Sequence, residues 1–183
     1  MTKIIGLSGS LRQGSFNSAL LRTAAALMPD GSKLDIFDIR NIPPYDADLE
    51  AKGGPGDVAT LKDLIAGADG LLIASPEYNN SVPGVLKNVI DWLGSPPADG
   101  ERVFKSRPVA IMGITTSSFG TTLAQDAWLG IFHALEANVW SGARLRLSGA
   151  KKLFDANGKL TDNAVSEEIR KFVAGFAAFA AAR

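Results

Sequence analysis

Runs of aliphatic and β-branched residues alternate along the chain with stretches in which apolar positions recur at helical spacing. Residues 3–8 (KIIGLS) predict a first buried strand, and residues 17–28 a helix with Ala19, Leu20, Ala24 and Leu27 on one side. Residues 33–38 (KLDIFD) place Leu34 and Ile36 in alternation and predict the second strand. The stretch 40–56 is rich in Pro, Gly and Asp and predicts a long surface loop. Asp57 is placed to cap a helix running to Ala66, with Val58, Leu61 and Ile65 inward. The short apolar run 70–74 (GLLIA), closed by Ser75-Pro76, predicts a central strand. Pro83 fits a first helical position, and the helix after it carries Leu86, Val89, Ile90 and Leu93 on one face until residues 95–100 (SPPADG) break it.

Residues 109–115 (VAIMGIT) predict the fourth strand. A loop over 116–120 leads to a helix with Ala124, Ala127, Trp128, Ile131 and Leu135 inward. Residues 139–148 contain the fifth strand, and 155–159 (DANGK) form a turn. Thr161 or Asp162 caps a last helix with Val165, Ile169, Phe172, Val173 and Phe176 inward. Strand and helix thus alternate five times, the pattern of an α/β fold with a five-stranded parallel sheet covered on both faces. The nearly continuous apolar strands agree, because strands buried on both sides do not alternate. With no internal repeat, low-complexity segment or linker, residues 1–183 read as a single doubly wound domain.

Composition then restricts the chemistry. The chain has 19 Lys+Arg against 19 Asp+Glu, one His and no Cys. A zero formal charge provides no broad field for nucleic acid or anionic lipid, so any anion must be held locally. Without cysteine there is no thiolate metal site and no Cys nucleophile, and one histidine excludes a multi-His metal site. His133 lacks a G-x-S-x-G nucleophile elbow to work with, so it reads as a surface or interface residue. No catalytic side chain and no metal ligand are nominated. Residues 1–3 run straight into the first strand, leaving no room for a signal peptide, and the longest nearly apolar run, 172–182, is too short to span a bilayer. A cytoplasmic location with no membrane or nucleic-acid partner is expected.

The first strand is followed by Gly9-Ser10-Leu11-Arg12-Gln13-Gly14-Ser15-Phe16-Asn17. In a doubly wound sheet this loop lies at the carboxyl end of a strand, where ligands bind. The helix behind it offers free N–H groups and the positive end of its dipole to a phosphate. Ser10, Ser15 and Asn17 can add hydrogen bonds, and Arg12 a fixed fork of donors. The spacing from Gly9 to Gly14 mimics a Walker A loop, but Ser15-Phe16 stands where Lys and Ser/Thr are required, and G-x-G-x-x-G is absent. The third strand ends in Ser75-Pro76-Glu77-Tyr78-Asn79-Asn80-Ser81-Val82-Pro83-Gly84. In the strand order 2-1-3-4-5 this second loop faces the first across the switch-point crevice. Its two prolines stiffen it, its backbone offers a hydrogen-bonding edge, and Tyr78 offers a wall. A phosphate cradle opposite a rigid polar edge suggests a mononucleotide with a planar heterocycle.

These two motifs, Gly9-Ser10-Leu11-Arg12-x-Gly-Ser-Phe-Asn17 and Pro76-Glu77-Tyr78-Asn79-x-Ser-Val-Pro-Gly-Val-Leu-Lys-Asn88, resemble those of the NAD(P)H-dependent FMN reductase family. The family includes quinone, chromate and azo reductases. The resemblance implies a flavodoxin-like fold, non-covalent FMN, NADPH or NADH as electron donor, and a homodimer or homotetramer. By the same resemblance Ser10, Arg12, Ser15, Phe16 and Asn17 hold the FMN phosphate and ribityl chain, and Pro76, Glu77, Tyr78 and Asn79 contact the isoalloxazine. The loop Thr115-Thr116-Ser117-Ser118-Phe119-Gly120 looks like the family's third flavin loop, with Ser117 and Ser118 as its contacts. The chain departs from the family where many members read Gly-Gly-Ala-Arg and this one reads Thr121-Thr122-Leu123-Ala124.

The expected activity is a ping-pong transfer of hydride from NAD(P)H through FMN to a quinone, free flavin or similar small acceptor, with the reactive atom belonging to the cofactor. A flavodoxin-type electron carrier is the alternative, and the zero net charge disfavours it, since carriers are strongly acidic to dock basic partners. A receiver domain of the same fold needs acidic residues at the strand ends, and the first strand ends in Leu7-Ser8-Gly9-Ser10. Leu129 and Phe132, off the inward stripe of their helix, mark with Trp92 either a homo-oligomer interface or a face covered by the C-terminal helix.

Overall fold

The computed structural model describes residues 1–182. Strand β1 (Thr2–Ser8) pairs in parallel with β2 (Ser32–Phe37) on one side and β3 (Gly70–Ala74) on the other. Strand β4 (Pro108–Ile114) follows β3, and the last sheet position is shared by β5 (Asn138–Val139) and β6 (Leu145–Leu147), both paired to β4. The order is β2-β1-β3-β4-β5, the one expected of a flavodoxin-like fold, with every pairing parallel. β3 and β4 are buried along their whole length.

The predicted fifth strand is interrupted after Trp140, whose N–H still donates to the Val109 carbonyl of β4 at 2.8 Å. The Trp140 ring packs 5.1 Å from Phe172 and 5.8 Å from Phe176, measured between centroids. Gly142 and Gly175 make room: a Cβ at Gly142 would stand 2.5 Å from the indole nitrogen, and one at Gly175 would stand 2.9 Å from the ring.

One face of the sheet is covered by α1 (Phe16–Ala26) and α8 (Asn163–Ala181), with Leu20, Ala24, Phe172 and Phe176 in the buried cluster. The Asp162 carboxylate caps α8 by accepting from the Val165 N–H at 3.0 Å, which decides between the two predicted caps. The other face buries Leu61, Ile65, Leu86, Ile90, Trp128 and Phe132. These come from α3 (Gly56–Ala66), α4 (Gly84–Leu93) and α6 (Thr122–Ala134), after the four-residue α2 (Ala47–Glu50). A short α7 (Ala150–Leu153) precedes α8. Among the described residues no helix is long and apolar enough to cross a membrane.

Several sequence expectations are corrected. Residues 95–100 do not merely break a helix: Pro97–Phe104 form α5, because Pro97 suits the first helical turn and Val103 and Phe104 reach the core. Pro83 and Pro55 occupy N-cap positions, so their helices begin at Gly84 and Gly56, and Asp57 lies in the first turn rather than at the cap. The inward stripe of α6 is Ala124, Gln125, Trp128 and Phe132, whereas Ala127 is exposed. Phe132 is fully buried, stacked on Trp128 and beside Phe104, so it marks no interface. Trp92 is likewise covered within the chain, by the 40–56 segment rather than by the C-terminal helix. Its Nε1 donates to the Pro43 carbonyl at 2.9 Å and Tyr45 meets its edge at 4.9 Å. Leu129 remains exposed, as does His133.

Candidate functional site

Three loops meet above the carboxyl ends of β1, β3 and β4. The first, between β1 and α1, extends the sheet through Gly9, whose N–H donates to the Ala74 carbonyl at 2.9 Å. A Cβ at Gly9 would stand 2.9 Å from both Pro76 and Pro83 and 3.0 Å from Leu86. Only glycine lets the first loop seat on the second. Gly14 turns the chain at φ 43°, and Ser15 caps α1 by accepting from the Ser18 N–H at 3.3 Å. A hydroxyl that accepts still has its own proton to donate. The first turn of α1 has no acidic residue, so its positive end is uncompensated. The Arg12 guanidinium lies 5.6 Å from the centroid of the Phe16 ring, over the start of this helix.

Asn17 does something its sequence position does not reveal. Its Nδ2 donates to the Ile114 carbonyl at 2.9 Å and its Oδ1 accepts from the Ile114 N–H at 3.0 Å. Both amide atoms of this buried side chain are therefore engaged, and Asn17 clamps the head of α1 to the end of β4. The resemblance assigns it to the ligand. The structure lines the cavity with it but gives its polar atoms to the backbone.

The second loop is a tight hairpin turn. Tyr78 and Ser81 exchange two backbone hydrogen bonds, both 3.1 Å, around Asn79 and Asn80, which stand at φ 51° and 61°. Two successive positive φ values need Gly, Asn or Asp, and Asn supplies them here. Tyr78 is half exposed, its hydroxyl 3.5 Å from Ser10 Oγ. The Glu77 carboxylate accepts from the Ala124 N–H at 3.1 Å, capping the first turn of α6 and tying the second loop to the helix after the third. Below the loop, buried Ser75 donates to the Pro76 carbonyl and accepts from Trp128 Nε1 at 2.8 Å.

In the third loop Thr115 is half-buried and residues 116–119 are exposed. Thr115 Oγ1 accepts from the Ser117 N–H and lies 3.3 Å from Ser117 Oγ. The loop is held from beyond β6: Gly149 N–H donates to the Ser117 carbonyl and Ala150 N–H to that of Thr115. This docking brings Lys151 to the same cavity.

The three loops enclose a cavity of about 380 Å³, within the range of small-molecule sites. Ser10, Arg12, Ser15, Phe16, Asn17, Pro76, Glu77 and Tyr78, all singled out in the sequence, line it. Asn79 forms the turn instead, and Ser117 and Ser118 stand outside, with Thr115 and Thr116 on the wall in their place. Lys151 and Ile114 also line it and were not anticipated. Only the basic pair Lys151-Lys152, a few residues past the last strand, carried a signal for the lysine. The residues present fit a phosphorylated planar ligand: an open helix start, an arginine fork and hydroxyls at one end, a tyrosine and a stiff loop at the other. The Gly9 contact keeps the two ends in register.

The model of the family described as NADPH-dependent FMN reductase matches residues 2–151. The chain belongs to that family. It is 41% identical over 169 residues to an NAD(P)H-dependent FMN reductase of Pseudomonas aeruginosa, covering 92% of this chain and 90% of the relative. It is 38% identical to a 2-hydroxy-1,4-benzoquinone reductase of Burkholderia sp, covering 95% and 91% respectively. Among solved structures it superposes on FerB, a flavoenzyme NAD(P)H:(acceptor) oxidoreductase of Paracoccus denitrificans. The TM-score is 0.88 at 28% identity, over 98% of this chain and 97% of that one. A flavodoxin of Bacillus cereus, at 14% identity and TM-score 0.61, shares the fold alone. As a member of the FMN reductase family the chain is an NAD(P)H-dependent, FMN-using oxidoreductase.

Proposed function

We propose that this FMN reductase passes electrons from NAD(P)H to quinones, with free flavin or similar small molecules as further acceptors, and that residues 1–183 act as one domain. The observation that supports this most is the cavity between the three loops, which has a built anion end and a flat-sided end. When bound, FMN supplies hydride acceptance from a nicotinamide and electron delivery to a quinone. The chain's own part is to hold and orient. Ser10, Ser15 and Arg12 hold the phosphate at the head of α1. Tyr78, stiffened by Pro76 and the Asn79-Asn80 turn, walls the ring. Thr115, Thr116 and Lys151 supply donors and a positive charge on the β4 side, where they favour negative charge developing on reduction. Glu77, directed at α6, is a positioning residue rather than a proton donor.

The flavodoxin-type carrier is not favoured, since the relatives carry reductase names and the net charge is zero. We read the exposed Phe119, Leu123 and Leu129 as the face covered by a second copy in a homodimer or homotetramer. The compartment is read as the cytoplasm. The decisive experiment is the visible spectrum of the FMN-reconstituted protein under anaerobic conditions. Bleaching by NADPH and recovery on adding a benzoquinone are expected, with parallel double-reciprocal plots in steady state. A protein that FMN cannot reconstitute overturns the reading. Light scattering that shows only monomer removes the second copy.

A further inference from the structure

Beneath the second loop runs a chain of hydrogen bonds with a fixed direction. Trp128 Nε1 on α6 donates to Ser75 Oγ at 2.8 Å, and Ser75 Oγ donates to the Pro76 carbonyl at 3.0 Å. An indole N–H can only donate, so the serine hydroxyl accepts from it and turns its own proton onward. Trp128 and Ser75 are wholly buried, and Trp128 is stacked on Phe132 with 5.6 Å between ring centroids. The start of the chain is therefore held by the core and not by the loop.

The chain ends on a peptide group that borders the flavin cavity. The Pro76–Glu77 bond is trans, so its carbonyl and its N–H point in opposite directions. With the carbonyl turned down onto buried Ser75, the Glu77 N–H is turned up, on the side where Pro76 and Glu77 line the cavity. Among the described residues this N–H has no hydrogen-bond partner. A backbone donor left open in a cavity wall calls for an acceptor on the ligand. Two further ties keep the peptide from turning over. Ser75 N–H donates to the Met112 carbonyl at 2.9 Å, and the Glu77 carboxylate is held by the Ala124 N–H. Hydroxyls such as those of Ser10 and Thr116 rotate to donate or to accept, whereas this N–H can only donate, and from one place. The bond onto the Pro76 carbonyl also polarises the peptide and strengthens its N–H, by about 10–30% per bond in such chains.

We propose that Trp128 and Ser75 are positioning residues, which aim and strengthen the Glu77 N–H as a donor to a carbonyl oxygen of the flat ring held in the cavity. The proposal rests on the reading of the chain as an FMN enzyme. Ring carbonyl oxygens gain electron density when a flavin is reduced, so a fixed donor there holds the reduced cofactor more tightly than the oxidised one. Neither Trp128 nor Ser75 lines the cavity, and both act through this one peptide.

The test reconstitutes the wild type and its variants with FMN isotope-labelled at the ring carbonyls. Infrared difference spectra read the hydrogen bond directly, and titration against a reference dye reads the midpoint potential. Ser75→Ala raises a ring carbonyl stretching frequency. It also lowers the preference for reduced over oxidised FMN about fivefold, the scale of one hydrogen bond, which is about 20 mV for a two-electron couple. Trp128→Phe keeps the Ser75 donation, so it shifts both readouts the same way and by less, and it decides the matter where Ser75→Ala does not fold. Phe132→Leu is the control, because it loosens the stack on Trp128 without removing a member of the chain. It lowers the urea midpoint and leaves both readouts in place. A carbonyl stretch and a potential that stay unchanged in the chain variants overturn the proposal. So does a shift in Phe132→Leu as large as that in Ser75→Ala, which assigns the effect to packing. A wild type that FMN cannot reconstitute overturns the reductase reading itself, and the proposal with it.

Discussion

The first and third loops border the same cavity and are held by different means. The first is locked by contacts that reach far along the chain: Gly9 under Pro76, Pro83 and Leu86, and Asn17 on both backbone atoms of Ile114. The third depends on exposed hydroxyls that bond one another and on two backbone bonds from the Gly149-Ala150 segment. An anion needs several donors converging on one point, so its cradle must be rigid before the ligand arrives. A flat ring that exchanges partners needs an accessible side, and the exposed loop provides it.

The largest effect is expected where the rigid loop is clamped. Asn17→Ala strands the buried Ile114 N–H and carbonyl, each worth about 1–3 kcal/mol when unsatisfied. Urea unfolding should show a loss of about 2–4 kcal/mol, and fluorescence titration at least tenfold weaker FMN binding. A variant with wild-type stability would show that the clamp is dispensable.

A tie far from both loops sets the scale for comparison. Nearly buried Lys62 donates to Asp99 at 2.8 Å and to the Ser95 carbonyl. The hydrogen bond from Lys62, assisted by Arg102, holds the Asp99 carboxyl below its ordinary value of 3.8. A carboxyl lowered on folding contributes stability that is present above its unfolded value and lost as pH falls through its folded value. Lys62→Met should therefore cost about 1.5–3 kcal/mol near neutral pH, with the gap to wild type narrowing below pH 3.8. FMN affinity should be untouched. A gap constant down to pH 2, followed by urea titration, would assign the cost to packing instead.

Gly9→Ala forces a methyl group against two prolines and Leu86. About 1–3 kcal/mol is expected, as for overpacking elsewhere, together with weaker FMN binding as the two loops part. The smallest effect belongs to the third loop. Ser117→Ala removes one exposed hydroxyl contact and should change stability by less than about 0.5 kcal/mol, as surface substitutions do. An FMN affinity that fell as far as in Asn17→Ala would erase the distinction between the loops.

Much of this was legible along the chain. Hydrophobic period determined the sheet and four of its strands, because strands buried on both faces must be apolar throughout. Local loop chemistry determined the first cavity's anion end, because a Gly- and Ser-rich turn into a helix carries its function in its own backbone. What periodicity could not show were contacts that depend on which distant element arrives. α6 is rotated so that Phe132 is buried beside Phe104 of an unforeseen helix while Ala127 is exposed. Nor could periodicity show that Trp140 of the fifth strand would pack on Phe172 and Phe176 of α8.

The site divides in the same way. Residue type and spacing alone selected Ser10, Arg12, Ser15 and Tyr78 as cavity residues. Only tertiary structure turned Asn17 and Glu77 toward the backbone and brought Lys151 in. A side-chain amide or carboxylate goes to whichever unsatisfied backbone group lies nearest, and that neighbour is chosen by the fold, not by the sequence around the residue.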